Sequence, residues 1–462
     1  MNNIKINDLL ELEITAIAQG GEGIGRHDNM VVFVPYTAVG DKARIRITEE
    51  KKTFARGEIV EIIKESEDRV KIECKHYYNY LENGKPYCGG CNLMHLTKKA
   101  QCAVKEDLVR NAFLKIGGQD EFKWEGIIEA DKMFGYRNKV QMPIAYDELE
   151  KVLAGFYMPK SHKVVSITNC LIQPEITQKI AKRFLEYARE YNIKPYNEKY
   201  DKGELRHLFM RVNKKNDVML GVVSRQKLSE GIKGLTNILV KDFPEIKIVF
   251  HNYNPRKSNV IMGNETTHVY GLGGIMEEIG HMRYFISPAS FFQVNSYQAE
   301  KLYKTVLEFC AFDGGERVLD LYCGSGGIGL YIAKYVAQVT GVEEIKQAVH
   351  NARDNAKLND INNIKFFTGR VEAVLEEKGH TIKDLPWDVV LVNPPRTGVK
   401  PNVIDAIAGL KPFKLIYVSC NPVTLARDSG LLKEKGYKLK RARSIDMFPQ
   451  TSNVETVAEF LR

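Results

Sequence analysis

Short apolar runs punctuated by glycine open the chain. Val31-Val32-Phe33-Val34 reads as a buried strand, and Ala43-Arg44-Ile45-Arg46-Ile47 alternates with the period of two expected of a half-buried one. Gly20-Gly21, Gly23 and Gly40-Asp41 mark turns between such runs. Several short strands in so little chain predict an OB-type β-barrel over residues 1–66, a common platform for nucleic acid. Arg44 and Arg46 point outward from it, toward phosphate or toward solvent alone. Lys98 to Ile116 then follows a helical period, with Ala100, Val104, Leu108 and Phe113 near one face and a stop at Gly117-Gly118. Strand-like segments at Lys139–Ile144, Met219–Val223 and Ile246–Phe250 lie among helix-like ones, so 67–285 reads as an α+β central domain. From 286 to 462 strands and helices alternate, the signature of a parallel, Rossmann-like α/β domain. The fold expected is therefore multidomain.

Composition narrows the class. Among 462 residues, 67 Lys and Arg face 58 Asp and Glu, a net charge of +9 that favours a polyanionic partner. No apolar run reaches membrane-spanning length and the start carries no secretory apolar core, so a cytoplasmic protein with no membrane partner is expected. Eight cysteines are too few for a disulfide scaffold at this length and read as reduced thiols.

The last third carries the chemistry. Arg317-Val318-Leu319-Asp320-Leu321 is a buried-strand pattern leading into Tyr322-Cys323-Gly324-Ser325-Gly326-Gly327-Ile328-Gly329. Gly324, Gly326 and Gly329 fit a nucleotide-binding turn, and Glu343, ending the strand Val336–Val342, is placed to accept from ribose hydroxyls. Trp387 to Val392 runs into Asn393-Pro394-Pro395-Arg396, and Leu415 to Val418 into Ser419-Cys420-Asn421-Pro422. Both loops sit at carboxyl ends of strands, where α/β sheets place their sites. Two closing strand-like runs, Tyr437–Ile445 and Val454–Leu461, form a terminal hairpin that suits a class I methyltransferase better than a dehydrogenase. Cys420 is the candidate nucleophile. An unperturbed thiol is only about 3% ionised at neutral pH, and the helix amino end beside Cys420 is expected to lower its pKa.

These motifs resemble one family. Ser-Cys-Asn-Pro at 419–422, Asp446-Met447-Phe448-Pro449-Gln450-Thr451, Asn453-Val454-Glu455-Thr456, Ser287 to Asn295 and Asp320 to Gly324 are similar to motifs of the uridine C5 RNA methyltransferases. The amino-terminal zone resembles the TRAM domain. The resemblance covers nearly the whole chain and is weakest over 175–285. It implies that Cys420 adds to carbon 6 of uracil, that Glu455 removes the carbon 5 proton, and that Gln293, Tyr322, Glu343 and Asn393 contact S-adenosylmethionine. Two positions depart from the family: Asn393 stands where an aspartate is usual, and Arg370 where a small polar residue is common. Both bear on cofactor affinity.

Cys88-Gly89-Gly90-Cys91 forms a two-thiolate clamp, with Cys74 upstream and Cys170 downstream. Four thiolates hold iron–sulfur or zinc; the resemblance implies a 4Fe-4S cluster with a structural role. The thirteen residues Lys75 to Tyr87 form a longer spacer than the family uses. Cys102 is the substitute ligand to watch, and Cys310 and Cys323 read as packed. Tyr136-Arg137-Asn138-Lys139 and Arg206-His207 resemble family segments near RNA. The sequence thus leads to a monomeric methyltransferase acting on RNA, 23S ribosomal RNA first and the transfer-RNA T-loop uridine second. An RNA-binding iron–sulfur protein with impaired catalysis is the reading that Asn393 and Arg370 keep open.

Overall fold

The computed structural model describes residues 4–82, 84–376, 382 and 385–462. They fall into two compact units that interleave along the chain. One holds the chain to Arg110 with Gly155–Cys170 and Phe448–Asn453; the other holds Asn111–Ala154, Leu171–Met447 and Val454–Arg462. Among the described residues no helix is long and apolar enough to cross a membrane.

In the first unit a six-stranded sheet runs in the order Leu9–Glu13, Lys42–Glu50, Phe54–Lys64, Met30–Pro35, Glu22–His27, Ala16–Ile17. The alternation in Lys42–Glu50 decides its facing: Ala43, Ile45 and Ile47 are fully buried while Arg44 and Arg46 point out. Neither arginine is a free cation. Arg44 bonds Glu61 at 2.7 Å and Glu11 at 3.0 Å, and Arg46 reaches Glu58 at 3.5 Å. The helix Lys98–Lys115 starts in this unit, where Thr97 caps it by accepting from Ala100 N–H at 3.1 Å. Its apolar face buries Ala100 and Val104 against Ala38, Leu93 and Leu96.

The second unit contains an eight-stranded sheet in the order Ile364–Thr368, Gln338–Glu343, Arg317–Leu321, Val389–Val392, Lys414–Ser419, Glu455–Leu461, Lys438–Ile445, Lys123–Ile128. The first five strands are parallel, and Glu455–Leu461 runs antiparallel between Lys414–Ser419 and Lys438–Ile445. Sequence order reverses between Arg317–Leu321 and Val389–Val392, which opens a crevice at the strand ends. The eighth strand, Lys123–Ile128, comes from the stretch assigned by sequence to the central zone and pairs parallel with Lys438–Ile445. Its glutamate explains the docking: Glu125 accepts from Arg443 at 2.6 Å, and Arg443 also pairs with Glu308. A second sheet carries Lys139–Tyr146, Leu205–Val212, Val218–Ser224, Ile246–Tyr253 and Glu265–Gly271, with helices Glu175–Glu190 and Glu230–Asp242. Leu205–Val212 is buried at every position, so it shows no alternation along the chain and was not predicted.

Candidate active site

Cys420 follows the strand Lys414–Ser419, and Glu455 opens the antiparallel strand beside it. Ser419 pairs with Thr456, which sets Cys420 across from Glu455 at the carboxyl end of the sheet. The two side chains interact, the Glu455 carboxylate raising the thiol. Arg396, from the Asn-Pro-Pro-Arg loop of the neighbouring strand, acts electrostatically on both the Cys420 thiol and Glu455. The sequence motifs give Arg396 no role; its place at the end of the loop after a buried strand is the signal that marks it as a candidate.

Electrostatics here differ from the sequence expectation. A lowered pKa was expected for Cys420 from the helix Pro422–Glu434. Instead burial, and next the Glu455 carboxylate, push the thiol up, while Arg396 pulls it down. The helix end is already occupied, because Asn421 caps it by accepting from Val423 N–H at 3.1 Å. Burial likewise raises Glu455 to about 8, with Arg396 opposing. One cation therefore faces two acids, and ionising either acid hinders ionisation of the other.

The glycine turn lies one strand away. Tyr322 (φ 63°), Gly324 (φ 55°) and Gly326 (φ 81°) take left-handed backbone conformations that wrap the turn around the helix start at Gly327. Glu343 fixes it, one oxygen accepting from Gly324 N–H at 3.1 Å and the other from Ile345 N–H at 2.9 Å. Each oxygen keeps a second lone pair for a ribose hydroxyl. Asp320 is buried beneath the turn and pushed up to about 8 by that burial. Tyr322 is held well above its ordinary value, first by burial and then by Glu372, Asp428 and Glu344.

Gln293 is buried in the Ser287–Asn295 segment. That segment is pinned from three sides: Asn138 donates to Gln293 carbonyl oxygen at 3.0 Å, Ser325 to Phe291 carbonyl at 3.2 Å, and fully buried Arg211 to Ser290 carbonyl at 3.2 Å. The Tyr136–Lys139 stretch therefore has a structural duty through Asn138. Lys139 is pushed down to about 8 by burial, helped by Arg211 and Arg137. Arg206 is neither solvated nor available to a ligand; it is buried and donates to the carbonyls of Asn254, Arg256 and Ser258. Asn393 is half-buried, its N–H donating to Leu321 carbonyl at 3.3 Å. Arg370 is 64% exposed and stands 4.0 Å from Glu372, whose closer partner is Lys400 at 2.7 Å.

The cysteine quartet belongs wholly to the first unit. The long spacer between Cys74 and Cys88 closes on itself, since Cys88 N–H donates to His76 carbonyl at 2.8 Å and Tyr77 N–H to Cys74 carbonyl at 3.1 Å. Tyrosines from the excursion pack on the barrel: Tyr78 stacks on Tyr36 with ring centres 4.4 Å apart, and Tyr87 meets Tyr36 edge-on at 5.6 Å. Cys88 accepts from Gly90 N–H at 3.3 Å and feels Cys74. His76 contacts Thr168, two residues before Cys170, and Gly89 N–H donates to Tyr157 carbonyl. The chain segments of the four thiols thus converge. Yet among the described residues no group of three or more Cys, His, Asp or Glu is close enough to hold a metal ion. As they stand these side chains do not fit a four-thiolate metal group. Cys102, Cys310 and Cys323 are buried.

Two family models match separate stretches of the chain. A family model described as tRNA (uracil-5-)-methyltransferase matches residues 274–461, and one described as TRAM domain matches residues 5–60. An RNA methyltransferase of Clostridium tetani is 37% identical over 455 residues, covering 98% of this chain and 96% of that protein. One of Staphylococcus epidermidis is 37% identical over 464 residues, covering 100% and 99%. Among solved structures, the Pyrococcus abyssi tRNA (uracil-54, C5)-methyltransferase in complex with S-adenosyl-L-homocysteine superposes with a TM-score of 0.75 at 28% identity, covering 97% of this chain and 99% of that one.

Proposed function

This chain belongs to the RNA (uracil-5-)-methyltransferase family, and from that membership we propose that it methylates carbon 5 of a uridine in RNA through a covalent Cys420–uracil adduct. The observation that carries the proposal is the opposition of Cys420 and Glu455 across paired strands, with the Arg396 charge acting on both. Carbon 5 of uracil is too weak a nucleophile for direct methylation. Addition of the Cys420 thiolate to carbon 6 shifts the carbon 5–carbon 6 π pair to carbon 4–carbon 5 and the carbonyl π pair onto O4, creating an enolate that is nucleophilic at carbon 5. S-adenosylmethionine, when bound, supplies an electrophilic methyl group. Gln293, Tyr322, Gly324, Gly326, Glu343 and Asn393 are the residues that would hold it. After transfer Glu455 takes the carbon 5 proton, the carbon 6–sulfur bond breaks, and Cys420 leaves as thiolate. The target base must be unstacked for Cys420 to reach it, at a cost of a few kcal/mol, roughly, in a duplex and less in a loop.

A uridine of 23S ribosomal RNA is the first substrate to test, on the strength of the cysteine-bearing segment beside the barrel. The transfer-RNA T-loop uridine is a second reading, favoured by the likeness to the Pyrococcus abyssi enzyme. That likeness spans 97% of this chain, so the amino-terminal region does not by itself separate the two substrates. Nucleoside mass spectrometry on unmodified 23S and transfer-RNA transcripts, incubated separately with protein and S-adenosylmethionine, decides. 5-Methyluridine is expected in the ribosomal transcript. Its appearance only in transfer RNA moves the substrate, and its absence from both advances the RNA-binding reading that Asn393 and Arg370 suggest.

For Cys74, Cys88, Cys91 and Cys170 the reading is a structural 4Fe-4S cluster, with zinc second; the convergence of their chain segments favours it, and the side chains must turn toward one another to form the ligand set. No step of the reaction passes through it. Protein purified without oxygen is expected to be brown and to carry about four irons and four acid-labile sulfides per chain, with Cys88→Ser losing most of both. Stoichiometric zinc, or a metal-free protein that still folds and methylates, overturns the cluster.

A further inference from the structure

The loop that carries Arg396 makes one turn of its own, Gly398 N–H donating to Pro395 carbonyl oxygen at 2.9 Å. Pro394 and Pro395 contribute no N–H groups, and the carbonyls of Arg396, Thr397 and Val399 are satisfied from elsewhere. The donors come from the helix that starts just after Cys420. Asn421 Nδ2 and Thr424 Oγ1 donate to Arg396 carbonyl oxygen at 3.0 and 3.3 Å. One turn further on, Arg427 Nη2 donates to the carbonyls of Thr397 at 3.0 Å and Val399 at 3.2 Å. Its neighbour Asp428 is fully buried and saturated: it accepts from Val399 N–H at 2.8 Å, Tyr417 Oη at 2.6 Å, and Arg427 Nε and Nη2 at 2.8 and 2.6 Å. Gly398 lies in the grip of the pair at φ +76°, where a Cβ would come within 2.6 Å of both Arg427 Nη2 and Asp428 Oδ2.

We propose that Arg427 and Asp428 are positioning residues, an ion pair that locks the Arg396 loop to the Cys420 helix and so fixes where the Arg396 charge stands relative to the thiol. A buried carboxylate held only for packing gains nothing over an apolar residue, because its desolvation must be offset by pairing. What a saturated pair supplies is fixed geometry. Here Asp428 ties together the strand that precedes Cys420, through Tyr417, and the loop that carries Arg396, through Val399. Both residues act through Arg396.

The proposal concerns the site read above as that of a methyltransferase, but its main readout needs no RNA. Cys420 alkylation by iodoacetamide, followed by peptide mass spectrometry on the full chain from pH 6 to 10, reports how well the thiolate is supported. Asp428→Asn and Arg427→Gln are expected to move the alkylation midpoint up by about one pH unit, as Arg396→Gln does, since each loosens an opposite charge from the thiol. The double variant R396Q/D428N is expected to shift no further than R396Q, because both act through one contact. With RNA, kcat is expected to fall by up to about 100-fold, the scale of an ångström-level misplacement, while KM for S-adenosylmethionine changes less than twofold. Arg427 is half-exposed, so its variant reports even if D428N fails to fold. A folded R427Q with the wild-type midpoint overturns the proposal, as does an additive shift in the double variant. If wild type transfers no methyl but the midpoints move as expected, the positioning pair stands and the methyltransferase reading falls.

Discussion

Replacing Cys420 with alanine removes both the covalent protein–RNA adduct and methyl transfer. Without a thiolate at carbon 6 no electron pair is delivered to carbon 5, and the remaining groups have no weaker version of that step to perform. The expected fall in kcat is on the order of 10⁶-fold, the scale seen when a nucleophile is lost from a set of residues that act as a unit. Cys420 is half-buried and its removal leaves the loop contacts of Asn421 and Thr424 in place. RNA retention on a filter and the thermal midpoint should therefore stay near wild type. Denaturing gel electrophoresis and nucleoside mass spectrometry check the two losses; 5-methyluridine formed by the alanine variant at even a hundredth of the wild-type rate would exclude the covalent route.

Glu455→Gln stalls the reaction after methylation instead of before it. The amide keeps the shape and cannot take the carbon 5 proton, so turnover is expected to drop by about 10²- to 10⁴-fold while a gel-stable adduct accumulates. Two further signs follow from the burial of this carboxyl. Its folded value is raised to about 8 from an ordinary 4.5. Between those values the unfolded chain has released a proton that the folded chain retains, so stability falls as pH rises through that window and levels off above it. E455Q should lose this fall and gain thermal midpoint on wild type at alkaline pH. The carboxylate also holds the Cys420 thiol up, so the variant should alkylate at Cys420 with a lower midpoint even as it fails to turn over. For wild type, kcat/KM is expected to rise with pH toward about 8 as the base form appears, with the apparent values belonging to the pair.

The resemblance and the spacing of the motifs in the last third were legible because the residues that carry them are local: a buried strand, a glycine turn, an acid at the next strand end, a cysteine before a helix. Each is a short stretch whose backbone requirement dictates its residue types. Where sequence reasoning stopped, the missing information was long-range. Leu205–Val212 shows no period because both its faces are covered. Lys123–Ile128 lies in the mixed central region, and only its pairing with Lys438–Ile445 places it on the sheet of the carboxyl-terminal domain. Arg206 looked like a ligand-facing cation and serves three carbonyls some fifty residues away.

The same division runs through the site. Cys420 and Glu455 stood out in the chain as candidate groups; how they titrate was not readable there. A helix start beside a thiol is a local feature, but desolvation, a facing carboxylate and the arrival of Arg396 depend on which strands adjoin, and these decide the balance. The thirteen-residue spacer after Cys74 is longer than the family uses, and its hydrogen bond from Cys88 to His76 and its tyrosines on Tyr36 make it a closed excursion. Sequence determines which groups can do chemistry and which backbone bends they need. The tertiary structure decides their charge, because a group's ionisation answers to everything within a few ångströms, and those neighbours are chosen by sheet order and loop docking.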